Sequence, residues 1–144
     1  MLIDSNAVLL DSKTVTSSAV TGDAVGLTSL MKPGRAEPIL IATKVCADFT
    51  GGTSITFKLT EGDTQTGSYS DVSGSAISVP VADLKAGKVI GWRIMPTGVK
   101  KQWIKMVATP AGTFTAGSVF AAVVREEEQP YEEGMYIDAG VVKG

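Results

Sequence analysis

The sequence of 144 residues contains no histidine and a single cysteine. Without histidine, the chain has no Ser-His-Asp triad, no Cys-His pair and no histidine ligand for zinc. The lone Cys46 has no second cysteine with which to form a disulfide inside the chain. It ends an apolar segment that begins at Ile39, and this context predicts a buried, unreactive thiol. These absences exclude most forms of nucleophilic and zinc chemistry.

The acidic residues offer little more for catalysis. A glycosidase, the one enzyme class that stays chemically open, needs two carboxyl groups facing one cleft. The candidate acids all lie in predicted turns, where acids are common for structural reasons: Asp48, Glu61, Asp63, Asp71 and Asp83. The predicted turn from Glu61 to Asp63 lacks the dense alternating acids of a calcium loop. We therefore predict a non-enzymatic protein with no cofactor and no metal site.

No apolar stretch approaches the roughly 20 residues that a membrane helix needs. The segment from Met1 to Asn6 has no basic residue and is interrupted by an acid, so it does not resemble a secretory signal. The net charge of −2 is too small to predict nucleic-acid binding. We expect a protein that is made in the cytoplasm and stays there, or leaves by lysis or within a particle. We expect no membrane partner and no nucleic-acid partner.

The chain does contain a series of short β-prone segments separated by turn residues. Residues 53–60 alternate cleanly, with Ile55, Phe57 and Leu59 on one face. About eight such segments recur at a spacing of roughly 8–12 residues, and none has sustained helical periodicity. The pattern predicts an all-β protein, a jelly-roll β-sandwich of antiparallel strands, with turns at 61–63 and 110–112. The predicted core consists of Ile39, Ile41, Ile55, Phe57, Leu59, Ile90, Trp92, Ile104 and Val119.

The two ends of the chain differ from this central part. We predict an N-terminal arm at 1–34, a jelly-roll body at 35–125 and an acidic C-terminal tail at 126–144. Residues 84–125 carry seven basic residues and no acid, whereas residues 126–138 carry six acids and no base. The N-terminal end is either loosely ordered or an arm that becomes ordered on a partner, and its apolar residues favour the second interpretation. The predicted anchors are Leu2, Ile3, Leu9 and Leu10 in the arm and Tyr131, Met135, Tyr136 and Ile137 in the tail.

A basic segment of the body contains Lys100, Lys101 and Lys105, with Trp103 among them. Interleaved basic and aromatic residues can bind single-stranded nucleic acid. However, Trp103 fits an inward strand position equally well, and lysine on edge strands guards against aggregation. The same lysines suit an acidic surface, either of a partner or of the tail of a neighbouring copy. We therefore take the three lysines as candidates for electrostatic contact with a protein.

Three motifs resemble those of a known family: the opening Met1-Leu2-Ile3-Asp4, the turn from Ala82 to Gly87, and the hairpin from Gly112 to Gly117. In that order along the chain, they are similar to the capsid cement (decoration) proteins of short-tailed phages, whose type member comes from a Bordetella phage. The resemblance implies a jelly roll on the outside of the capsid that staples neighbouring subunits of the major capsid protein. It also implies a homodimer across two-fold positions of the virion. The tail at 126–144 is longer than the family pattern, which leaves another oligomer open.

A second function belongs to another class, namely a carbohydrate-binding β-sandwich of a phage tail or an adhesin. Such modules usually expose aromatic side chains on which sugars stack. The chain has two tryptophans, three tyrosines and four phenylalanines, and several of them are assigned to the predicted core. The carbohydrate alternative is therefore the weaker one, and a glycan array separates it from the capsid role.

Overall fold

The computed structural model describes residues 5–27, 40–90 and 98–124. Every strand pair within these ranges is antiparallel, and no α-helix is found there. Two single turns of 3-10 helix, at Ser5–Ala7 and Val81–Asp83, are the only helical elements among these residues. The prediction of an all-β protein is confirmed. The strands are β1 (Val8–Thr14), β2 (Val20–Thr21), β3 (Val25–Gly26), β4 (Leu40–Thr50), β5 (Ser54–Gly62), β6 (Ser70–Asp71), β7 (Ile77–Pro80), β8 (Trp103–Ala111) and β9 (Ala116–Val124).

The strands form two sheets, and the chain crosses between them repeatedly. The smaller sheet has the order β1-β9-β4 and is extended at β4 by a bridge between Lys44 and Val89. The larger sheet has the order β2-β8-β5-β6, with β3 also paired to β8 and β7 to β5. Along the chain, β1 lies in the smaller sheet, β2 and β3 in the larger, β4 in the smaller, β5 to β8 in the larger, and β9 in the smaller. The two antiparallel sheets form a β-sandwich. The predicted jelly-roll order, in which successive strands alternate between the sheets, is not followed from β5 to β8, because these four consecutive strands all lie in the larger sheet.

The core lies between the sheets and draws side chains from both. Ile55, Phe57 and Leu59 alternate with half-buried residues along β5 and are almost completely buried, as their spacing predicts. They belong to one cluster with Ile41 and Val119 of the smaller sheet. The predicted core residues Ile90 and Ile104 are buried as well. The remaining two, Ile39 and Trp92, lie outside the described residues.

The hairpin between β8 and β9 depends on close ring packing. The rings of Phe49 and Phe114 meet edge to face, with centroids 5.4 Å apart and an interplanar angle of 84°. Gly117 has a φ of +127°, and a Cβ there would lie 2.3 Å from the Phe49 ring. A Cβ at Gly52 would lie 2.4 Å from the Phe114 ring. Glycine is therefore required at both positions because no side chain fits beside these rings.

Several local predictions are wrong because β5 and β8 run further than their turn residues suggested. Glu61 and Gly62 belong to β5 and Pro110 and Ala111 belong to β8, so neither segment is a turn. Cys46 is exposed rather than buried. Ile41 and Val45 face the core, so the period of two along β4 places Cys46 on the outer face, with Lys44.

The N-terminal arm predicted at 1–34 also needs correction. Residues 8–27 contribute β1, β2 and β3 to the two sheets. Leu9 and Leu10 are both fully buried in the core, so the prediction that they are partner anchors is wrong. The register of β1 against β9 shifts between Val8 and Leu10, and a bulge of this kind lets two consecutive side chains face the core. The boundary at 125 and the acidic tail lie beyond the described part of the chain.

Candidate functional site

The loop that carries Lys100 and Lys101 is fastened to the end of β5 by Glu61. One carboxylate oxygen of Glu61 accepts hydrogen bonds from the backbone N–H groups of Lys100 (2.6 Å) and Lys101 (3.1 Å). Glu61 is only 8% exposed, so these bonds compensate for the burial of its carboxylate. The predicted role of Glu61 as a turn or glycosidase acid is therefore replaced by a structural one: it positions the basic loop.

Only part of the predicted lysine set is available to a partner. The ammonium of Lys101 lies 3.1 Å from the Asp63 carboxylate, and both side chains are well exposed, so this ion pair is weak and screened by solvent. Lys100 is exposed, and its side chain projects from the fastened loop. Lys105 lies in β8, an interior strand of the larger sheet, so the role of guarding an edge strand does not apply to it.

The third lysine contacts an aromatic ring. The Lys105 ammonium lies 4.3 Å from the centroid of the Tyr69 ring, which is a cation–π contact. The Tyr69 hydroxyl donates a hydrogen bond of 2.9 Å to the backbone carbonyl of Gln65. Desolvation by burial raises the pKa of the Tyr69 hydroxyl, which keeps this group neutral and able to donate. The contact holds Lys105 against the outer face of the larger sheet.

The outer face of the smaller sheet carries a second apolar cluster, separate from the core. In β9 the residues Val119, Ala121 and Val123 point into the core, so Phe120, Ala122 and Val124 face outward. We call the following set the outer apolar cluster: Val8, Ala42, Phe120, Ala122 and Val124. A sheet face of a sandwich that faces water normally carries polar residues. The uninterrupted apolar sequence from Val119 to Val124 was the signal for this second covered face.

Described residues close in sequence to three of the undescribed stretches lie beside this cluster. Val8 pairs with Ala122, and Leu40 pairs with Val124. Val8, Leu40 and Val124 therefore lie near one another in the smaller sheet, and they stand close in sequence to the undescribed residues 1–4, 28–39 and 125–144. The other border of 28–39 is Leu27, which follows β3 of the larger sheet. The predicted anchors in those stretches lie outside the described residues: Leu2, Ile3, Tyr131, Met135, Tyr136 and Ile137.

The other candidate acids also have structural contacts. Asp48 belongs to β4, and its carboxylate accepts a hydrogen bond of 2.7 Å from the backbone N–H of Ala86. Asp71 forms an ion pair of 2.9 Å with Lys58 across β5 and β6. Within residues 5–27, 40–90 and 98–124, no three His, Cys, Asp or Glu side chains are grouped so as to hold a metal ion. In the same ranges, no helix is long and apolar enough to cross a membrane.

Comparison with known proteins places this body in a family. No curated protein matches the chain. The model of the Bbp16 family, a Bordetella phage protein family, matches residues 9–124. The match runs from Leu9 in β1 to Val124 at the end of β9, and it covers well over half of the 144 residues. The chain therefore belongs to the Bbp16 family of phage proteins.

Proposed function

We propose that this protein is a non-enzymatic capsid cement protein, which binds the outside of a phage shell and staples neighbouring subunits of the major capsid protein. The observation that carries the proposal is the half-buried pair Val8 and Phe120, which packs on the buried members of the outer apolar cluster and stays partly accessible, close to Leu40 and Val124 at the borders of the undescribed stretches 28–39 and 125–144. Membership of a phage protein family supports the same role. The β-sandwich body supplies the rigid support that such a contact surface needs.

Phe120 is the best candidate for the centre of the contact. It faces outward from β9, is half-buried, and packs against the small residues Ala42 and Ala122. Aromatic side chains surrounded by apolar neighbours dominate the energy of many protein interfaces. The exposed Lys100 adds a positive charge that suits an acidic partner surface.

The undescribed stretches extend this surface in the proposal. Leu2 and Ile3 precede the body, and Tyr131, Met135 and the neighbouring residues follow it. In this proposal, strands or apolar anchors from these stretches reach adjacent capsid subunits. Many copies on a lattice act multivalently, so each contact can be weak. Binding to the assembled shell, and not to free subunits, stabilises the shell by mass action.

The remaining parts of the proposal follow from this role. The protein acts on the capsid exterior of the virion after synthesis in the host cytoplasm. Its partners are the major capsid protein and a second copy of itself, as a homodimer or a larger oligomer. The role requires no cofactor, metal, membrane or nucleic acid.

Co-sedimentation with bare capsid shells tests the proposal. The native protein is expected to sediment with shells and to stay in solution with free coat subunits. Phe120→Ala is expected to lower the affinity for shells about tenfold or more, as truncation of an interface anchor does. Val107→Ala is the matched control, because Val107 is a half-buried, outward residue on the opposite sheet. Native protein that ignores shells, or equal losses in both variants, would refute the proposed surface.

A further inference from the structure

A cleft of about 500 Å³ opens beside Trp103, separate from the lysine contacts described above. We call it the Trp103 cleft. Asn6, Asp23 and Gln65 contribute to its lining, together with Trp103 and Gly26. Asn6 lies in the first 3-10 turn, Asp23 lies between β2 and β3, and Gln65 lies in the loop after β5. The volume lies within the range of small-molecule binding sites.

The indole of Trp103 forms one wall of the cleft. Trp103 faces outward from β8, contrary to the inward position that its sequence context allowed, and it is half-buried. Both of its cross-strand neighbours are glycines, Gly26 in β3 and Gly62 in β5. A Cβ on Gly26 would lie 3.1 Å from the six-membered ring of the indole. The ring therefore packs against the backbone of Gly26 and occupies the space that a side chain there would need. Neither cross-strand neighbour places a side chain beside the indole, and Trp103 lines the cleft.

The Tyr69 ring lies over the other cross-strand neighbour of Trp103, Gly62 in β5. A Cβ on Gly62 would lie 3.2 Å from two carbons of the Tyr69 ring, so this ring covers Gly62 next to Trp103. The Tyr69 hydroxyl bonds to the Gln65 carbonyl and thereby ties the loop after β5 to the sheet. The loop that supplies Gln65 to the cleft is held in place before any ligand arrives, which lowers the entropic cost of binding.

The opposite rim is fixed by backbone hydrogen bonds. The N–H of Asp23 donates to the carbonyl of Leu9 (2.9 Å), and the N–H of Gly22 donates to the carbonyl of Met106 (2.8 Å). These two bonds connect the rim to both sheets. The Asp23 side chain is exposed at the rim, so its carboxylate can accept hydrogen bonds from a ligand.

The chemistry of the lining selects one class of ligand. An indole offers a flat apolar surface, a carboxylate accepts hydrogen bonds from hydroxyls, and carboxamides both donate and accept. A sugar ring presents C–H groups on its faces and hydroxyls around its edge, which matches this combination. A nucleotide or another anion is disfavoured by the Asp23 charge, and the nearby Lys105 ammonium is engaged with the Tyr69 ring. We propose that the Trp103 cleft binds a neutral saccharide, with Trp103 as the stacking surface and Asp23 as the acceptor for hydroxyls.

This binding site goes beyond the shell-binding role and does not depend on it. The test uses the purified full chain, free of shells, on an array of neutral and acidic oligosaccharides, followed by calorimetric titration with the best neutral oligosaccharide. An oligo-dT strand serves as the competing ligand class. The expected result is binding of neutral glycans, with no displacement by oligo-dT. Binding of only acidic glycans, displacement by oligo-dT, or no binding at all would overturn the proposal.

Three variants assign the binding to the cleft. Asp23→Asn changes an exposed side chain and leaves the fold intact, and it is expected to weaken binding about tenfold or more, as loss of a hydrogen bond to a charged group does. Trp103→Ala is expected to abolish detectable binding. Val107→Ala, on the same face of the same strand, is expected to bind as the native protein does. Native affinity in Asp23→Asn and Trp103→Ala together would overturn the assignment, even if a glycan binds.

Discussion

Replacement of Leu10 by alanine tests whether the N-terminal residues belong to the body. Leu10 is fully buried and is a member of the core between the sheets. It packs close to Gly22, where an added Cβ would lie 2.9 Å from a Leu10 methyl carbon. Truncation of a buried leucine costs about 2–5 kcal/mol, from lost burial and from the cavity that remains. We expect a loss of about 3 kcal/mol in the free energy of unfolding, a large part of the roughly 5–15 kcal/mol of a typical domain.

Urea unfolding followed by tryptophan fluorescence measures this loss. With a slope of about 1–3 kcal/mol per molar urea, a loss of about 3 kcal/mol lowers the midpoint by roughly 1–3 M. Lys13→Ala is the control, because Lys13 lies in the same strand and is exposed. It should change the free energy of unfolding by less than about 0.5 kcal/mol. An equally small effect of Leu10→Ala would refute the placement of β1 in the core and restore an arm that begins at residue 1.

Two further predictions concern single side chains of the body. Glu61→Ala leaves the N–H groups of Lys100 and Lys101 without their carboxylate and should lower the free energy of unfolding by about 1–3 kcal/mol. Glu61→Gln keeps an acceptor and should lower this free energy by less. Equal losses for the two variants in urea unfolding would contradict the role of the carboxylate. The pKa of Tyr69 is raised above its usual value of 10.0, so its contribution to stability is complete below pH 10 and is lost as the pH rises through the raised pKa. The ultraviolet absorbance difference between the native protein and Tyr69→Phe should therefore titrate above pH 10, and a midpoint at or below 10 would contradict the burial of this hydroxyl.

The strands of the larger sheet could be predicted from local sequence, because burial on one face imposes a period of two. Ile55, Phe57 and Leu59 show that period, and they lie in the core as predicted. β2 and β3 have only two residues each, which is too short for any period to be recognised. Leu9 and Leu10 were misassigned because a bulge, which depends on the pairing with β9, turns both side chains inward.

The candidate sites were harder to predict because they are assembled from distant parts of the chain. Asn6, Asp23, Gln65 and Trp103 are far apart in sequence, and only the pairing of β3 and β5 with β8 brings them together. No local pattern marks such a set. The lysine segment was visible in the sequence, but the contact of Lys105 with Tyr69 was not, because it depends on the fold of the loop after β5.

The position of β9 between β1 and β4 affects how the protein can be made. The strand at the centre of the smaller sheet is the last of the described strands to leave the ribosome, and β1, synthesised about a hundred residues earlier, has no other partner in its sheet. The body therefore cannot close during synthesis, and folding must wait until residues 116–124 are free. Pairing between strands so far apart in sequence makes folding slow, with sheet edges exposed meanwhile. A ribosome stalled before Ala116 would hold a chain open to proteases and aggregation, and only release of the final strand would convert it into the protected form.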